Sequence, residues 1–143
     1  MFATSFWKLI WSSPEYLSSN ITSDEKKHRI VWAKVSSIYD GDTFTVVYIQ
    51  DGVLCKRRCR CSGYDSPEIK TKNLEEKKKA CEAKEFLKTK LPKYVFRLKI
   101  YGLDKYGRFL VDIKIKKKFL KDIMIEAGHG YPYDGGTKKE FGL

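Results

Sequence analysis

The dipeptide Asp51-Gly52 constrains this chain more than any other local feature. It separates two runs of strand-forming residues, Thr43-Phe44-Thr45-Val46-Val47-Tyr48-Ile49 before it and Val53 to Cys61 after it. A two-residue Asp-Gly turn takes positive φ at both central positions, which matches the twist of an antiparallel hairpin. β-Branched and aromatic side chains suit the pleated strand on either side. A long hairpin is therefore predicted over residues 43–61. Upstream, Val31, Ala33 and Val35 alternate with Trp32, Lys34 and Ser36, the period of a half-buried strand.

Downstream the period changes. Asn73 can cap a helix from Leu74 to about Leu91, with Glu76 completing a capping box. Ala80, Ala83, Leu87 and Leu91 form its small apolar face, and Pro92 ends it. Tyr94 to Tyr101 and Phe109 to Ile115 read as fourth and fifth strands, joined by Gly102 to Gly107. Leu120, Ile123, Met124 and Ala127 mark a second helix, closed by Gly128. Five strands with a helix after the third fit a mainly β fold with helices (α+β), a five-stranded Greek-key barrel of the oligonucleotide-binding (OB-fold) type. A chain of 143 residues has room for one such domain. It is placed at 30–143, preceded at 1–29 by an aromatic segment and a polar linker.

Charge narrows the partner. Lys and Arg total 29 against 18 Asp and Glu, a net +11. That excess favours a polyanion, either nucleic acid or an acidic membrane surface. Aromatic residues at 14% favour nucleic acid, because bases stack on rings. The clusters Lys77-Lys78-Lys79 and Lys116-Lys117-Lys118 read as solvated faces that add to the field. No stretch approaches the ~18 apolar residues of a membrane span. Residues 1–11 are apolar but lack a basic leader, so they are expected to dock on the domain, with a membrane or partner contact as the alternative. Cys55, Cys59 and Cys61 share a strand, and no secretory signal is visible. Free, mostly buried thiols in the cytoplasm or another reducing compartment are the expectation, and the C-x₃-C-x-C spacing is unlike a zinc knuckle. His28 and His129 have no acid or thiol placed beside them by sequence and read as structural.

Three short clusters carry the chemistry. The first is Asp40-Gly41-Asp42-Thr43, the second Arg60 through Asp65-Ser66-Pro67-Glu68, the third Asp104-Lys105-Tyr106-Gly107-Arg108. Each alone reads as a turn or loop. Carboxylates that converge repel unless a hard cation lies between them, and such a cation takes oxygen ligands. Arginines beside it suit a phosphate, because the guanidinium fork matches phosphate oxygens.

In this order, and with the hairpin, helix, Tyr-Gly-Arg turn and closing Ala127-Gly128 between them, the clusters resemble the staphylococcal nuclease (thermonuclease) family over roughly Val31 to Phe141. The resemblance implies a five-stranded barrel with helices and calcium-dependent hydrolysis of DNA and RNA. It implies Asp42 and Asp65 as Ca²⁺ carboxylates, with Ser66 contributing its backbone carbonyl where the family has threonine. Asp40 is expected just outside that shell. Glu68 resembles the residue that orients or deprotonates the attacking water, and Arg60 and Arg108 the pair that grips the scissile phosphate. Lys105 and Tyr106 resemble contacts to a neighbouring phosphate. Tyr131 or Tyr133 resembles a base-stacking tyrosine, with Pro132 blurring the register. A monomer with a preference for single strands is expected. The alternative is a non-catalytic nucleic-acid-binding module of the same fold, which would expect substitutions at Arg60, Glu68 or Arg108; all three residues are present. Relatives commonly carry a further helix where this sequence has two residues after Phe141. The N-terminal aromatics are expected to cover the surface such a helix would cover.

Overall fold

The computed structural model describes residues 28–135. The expectations for residues 1–11, for most of the linker and for the segment after Gly135 lie outside the described residues.

Five strands close into a barrel. They are β1 (Arg29–Asp40), β2 (Thr43–Gln50), β3 (Val53–Cys61), β4 (Phe96–Leu103) and β5 (Phe109–Asp112). Their order around the barrel is β1-β2-β3-β5-β4, with β4 returning to β1. The predicted hairpin forms with the turn expected of Asp-Gly: φ is 51° at Asp51 and 77° at Gly52. Its strands pair without interruption from Thr43↔Arg60 to Gln50↔Val53. β3 and β5 are parallel, pairing Cys59↔Phe109 and Arg60↔Leu110. The other barrel pairs are antiparallel.

The twelve-residue β1 pairs with both β2 and β4, so it must bend. Register shifts between Val35 and Ser37 and between Ile38 and Asp40 supply the bend. Such bulges re-aim side chains and gather near functional sites. The second one brings consecutive residues, Tyr39 and Asp40, to the same cleft.

The barrel interior is apolar. Phe44, Val46, Tyr48, Leu98, Ile100, Phe109 and Val111 are fully or almost fully buried. Cys55, Cys59 and Cys61 are buried free thiols and Cys81 is exposed, as the sequence suggested. Burial pushes the Cys61 thiol up to about 12, which keeps it a neutral, inert core group.

Helix α1 (Leu74–Lys90) seals one side through Ala80, Ala83 and Leu87. The Asn73 side chain caps it by accepting from the backbone N–H groups of Glu75 and Glu76. The reciprocal half of the capping box is rerouted. The Asn73 N–H donates to Thr71 Oγ1, and the Thr71 hydroxyl donates to Glu76 at 2.8 Å. Helix α2 (Leu120–Glu126) buries Leu120 and Met124, while Ala127 is exposed, so its apolar face is narrower than its spacing predicted. Gly128, at φ 77°, ends it as expected.

Two strand limits differ from the sequence reading. β4 starts at Phe96 and runs to Leu103. β5 stops at Asp112, after which Lys114–Ile115 fold back on Lys118–Phe119 through Lys116 and Lys117, both at positive φ. Among the described residues, no helix is long and apolar enough to cross a membrane.

Candidate active site

One cleft opens at the end of the barrel where β1 turns into β2. Tyr39, Asp40, Asp42, Thr43, Arg58, Arg60, Glu68, Ile69, Lys70 and Arg108 line it. The sheet explains the assembly. Thr43 sits opposite Arg60 in the β2–β3 ladder, which sets the first cluster beside the second. The parallel β3–β5 pairing then places Arg108, one residue before β5, near the Arg58–Arg60 end of β3. Residues 48 positions apart in sequence thus reach one cleft.

Arg60 is the hub. Its Nη1 lies 2.9 Å from Asp42 Oδ2, and its Nη2 donates to Asp65 Oδ1 at 3.0 Å. Nη1 also donates to the backbone carbonyls of Cys61 (3.1 Å) and Tyr64 (3.0 Å). The Tyr133 ring lies under the guanidinium at 5.8 Å. Asp42 is equally anchored: Oδ1 accepts from the Thr43 hydroxyl and Oδ2 from the Ser66 backbone N–H. Burial works against the charge on Asp42, but Arg60 and these donors hold its carboxyl below the ordinary value. Asp40 behaves oppositely. Burial first, and then the neighbouring Asp42 charge, push it up to about 7. A shared proton is therefore held more readily by Asp40 than by Asp42.

The turn is held from below. Gly41 packs so tightly that a Cβ there would lie 2.8 Å from both Ala83 Cβ and Ser66 Oγ. Its carbonyl accepts from the buried Tyr64 hydroxyl at 2.7 Å. The Asp40–Asp42 turn is thus backed by Ala83 and Tyr64, neither of which lines the cleft.

Arg108 is held differently. Its Nε donates to Asp104 Oδ2 at 2.6 Å, and its backbone N–H donates to Asp104 Oδ1. Burial would raise the Asp104 carboxyl, but these bonds and the Tyr106 N–H bring it below its ordinary value. The guanidinium stays partly exposed and stacks on Tyr106 at 5.3 Å.

The predicted residues divide as follows. Arg60, Glu68, Arg108 and Asp42 share the cleft. Asp65 and Ser66 lie behind it, tied to Arg60 and Asp42 respectively. Lys105 and Tyr106 stand on the exposed turn beside Arg108, with the Lys105 ammonium 5.1 Å from the Tyr106 ring centre. Of the two candidate tyrosines, Tyr133 meets Arg60, whereas Tyr131 is exposed and pairs with Asp65 through the backbone. Sequence reasoning did not assign Tyr39, Thr43, Arg58, Ile69 or Lys70 to the cleft. The Arg58-x-Arg60 spacing and the basic Lys70 just after Glu68 were the available signals.

Among the described residues, no three acidic, histidine or cysteine side chains cluster tightly enough to form a protein-only metal cage. The donor chemistry nonetheless fits a hard cation. Asp40 and Asp42 put adjoining buried carboxyls on the cleft, with Asp65 just behind them on Arg60. Ser66 Oγ is a buried oxygen with no hydrogen-bond partner. Two carboxylates completed by water and substrate phosphate is a common way to hold such an ion.

A closed barrel with a parallel β3–β5 contact, helices α1 and α2, and an acid–arginine cleft at the β1–β2 turn defines an OB-type barrel of the nuclease kind. The family model described as staphylococcal nuclease homologue matches residues 58–140, and the chain belongs to that family. The match begins at Arg58, so the Asp40–Thr43 turn joins the matched segment through the fold. The chain is also similar to a Schizosaccharomyces pombe protein named as a probable endonuclease. The two are 27% identical over 158 residues, covering 89% of this chain and 69% of the relative.

Proposed function

We propose that the protein is a calcium-dependent nuclease that hydrolyses phosphodiester bonds of DNA and RNA. The observation that carries this reading is the meeting of Arg60, Arg108, Glu68 and the Asp40/Asp42 pair in one cleft. Family membership and the endonuclease-named relative support it.

Asp42 and Asp65, with the Ser66 backbone carbonyl, would hold the cation, and Asp40 would stand just outside that set. When bound, a divalent cation neutralises phosphodiester charge and lowers the pKa of a water. Glu68, exposed on the cleft rim, takes a proton from the attacking water as its oxygen bonds to phosphorus. Arg108, partly exposed, donates to the non-bridging oxygens as charge builds on them. Arg60 supplies the second fork once a cation shares the charge of Asp42. The bond from phosphorus to the leaving oxygen then breaks, and that oxygen is protonated from solvent. Tyr133 beside Arg60 and Tyr106 beside Arg108 offer rings to flanking bases.

A second reading has its own support. Arg60 already has four internal acceptors, which suits a structural role in a binding module that does not cleave. Incubation with single-stranded DNA and RNA under Ca²⁺, Mg²⁺ or chelator separates the two. Cleavage that needs Ca²⁺ is expected. Binding without cleavage in any metal favours the module, and full cleavage in chelator rejects the calcium assignment.

A further inference from the structure

The cleft occupies one end of the barrel, and an aromatic, basic face lies towards the other. Ile30 and Trp32 point outward from β1, 51% and 55% exposed. The β1–β4 register sets Arg97 directly across from Trp32 and Lys99 across from Ile30. Directly opposed residues of an antiparallel pair share a face, with Cβ atoms about 4.5–5.5 Å apart. Arg97 is exposed, and the Lys99 ammonium lies 5.3 Å from the Tyr101 ring centre. His28 meets the same ring edge-on at 4.8 Å. Neither strand brings an acid to this stretch, since the Asp of β1 is Asp40 at the far end. Asp112, across from Lys99, is buried and accepts from the Tyr101 hydroxyl.

Trp32 stands eight positions along β1 from Asp40, roughly 26 Å of strand before its bulges. It plays no part in the barrel core or in the cleft. Its exposure has a ready chemical use. An indole offers a flat ring to a base, and a guanidinium and an ammonium on the next strand offer charge to the adjoining phosphates. A membrane surface fits less well, because two exposed apolar side chains give little area to insert.

We propose that the outer face of β1 and β4, centred on Trp32 and Arg97 with Lys99 beside them, is a second binding surface for single-stranded nucleic acid, remote from the cleft. It rests on the reading of the chain as a nucleic-acid enzyme. A base stacks on Trp32 and its neighbouring phosphates meet Arg97 and Lys99. A strand long enough to reach both places is held at two points, whereas a fragment of about three nucleotides engages the cleft alone.

The test uses the full-length protein and its Trp32→Ala and Arg97→Ser variants. Affinity for a single-stranded 15-mer is measured by fluorescence anisotropy in chelator, where the cleft does not cleave. Cleavage of a trinucleotide is measured separately with Ca²⁺. Trp32→Ala should weaken 15-mer binding about tenfold or more. Arg97→Ser should weaken it and lower the salt slope by about one. Trinucleotide cleavage should be unchanged in both. Arg97 is on the surface, so its variant decides the matter if Trp32→Ala unfolds. Unchanged 15-mer affinity in a folded Arg97→Ser and a folded Trp32→Ala overturns the inference while leaving the nuclease reading intact. Unchanged oligonucleotide affinity with lost binding to phosphatidylserine vesicles overturns it in favour of a membrane face. A parent protein that neither binds nor cuts rejects the nuclease reading, and this inference with it.

Discussion

Arg60 and Arg108 are chemically alike and structurally unlike, and their variants should differ accordingly. Arg60 is buried with two carboxylates and two carbonyls as acceptors. Burial alone would lower its pKa, but Asp42 and Asp65 raise it, so its charge is permanent. Arg60→Ala removes the cation that both buried carboxylates face and should cost about 3–5 kcal/mol of stability, read by urea denaturation. Loss of activity there is confounded with loss of fold. Arg108 is the cleaner probe, because it is less buried than Arg60 and pairs with one carboxylate, that of Asp104 in its own turn. Arg108→Lys should lower the cleavage rate about 10²–10³-fold with an unchanged melting temperature. Asp104 links this turn to pH. Its depressed folded pKa means that it contributes stability above the ordinary carboxylate value. That contribution is lost as pH falls through the depressed value. Asp104→Asn should therefore narrow the difference in urea midpoint between pH 6 and pH 3 relative to the parent; an equal difference in both proteins would remove Asp104 from the acid response.

At the level of elements, the hairpin was legible because Asp51-Gly52 and its β-branched flanks agree with each other locally. Helix α1 was legible for the same reason, from Asn73 to Pro92. Asn73→Ala should cost about 1 kcal/mol, since two amide donors lose their acceptor. The bulges of β1 left no local signature, yet one of them brings the consecutive residues Tyr39 and Asp40 to the same cleft. The end of β5 was overread because Lys114 and Ile115 continue its alternation, while the turn at Lys116 and Lys117 carries lysines where glycine or asparagine usually signals positive φ. The β1–β2 turn leans on α1 at Gly41, a contact between residues 41 and 83 that no short motif reveals. Gly41→Ala should wedge these elements apart, at a cost of about 1–3 kcal/mol. A lower urea midpoint, together with a higher Ca²⁺ concentration needed for half-maximal cleavage, checks that the turn and the helix form one unit.

Across the whole molecule, a +11 chain gathers three buried acids, Asp40, Asp42 and Asp65, at or just behind one cleft, while the lysines among the described residues reach the surface. The field attracts a polyanion, and the cleft fixes where it is cut. Which acids and arginines matter was readable from three motifs, because each keeps its own local form. How they meet was not, because the β3–β5 pairing that unites Arg60 with Arg108 joins segments with a whole helix between them. The same physics predicts that single strands are cut faster than G·C-rich duplex, since bases must turn outward to stack, and that binding weakens with salt. Equal rates on both substrates at equal salt would contradict the open-strand account. The central claim, that this cleft activates water against a phosphodiester, is tested most directly by the single-turnover cleavage rate of Glu68→Gln at saturating Ca²⁺. Glu68 is exposed, so its replacement should leave the melting temperature unchanged. The account predicts a rate about 10²–10⁴-fold below the parent. A Glu68→Gln protein that cuts at the parent's rate contradicts it.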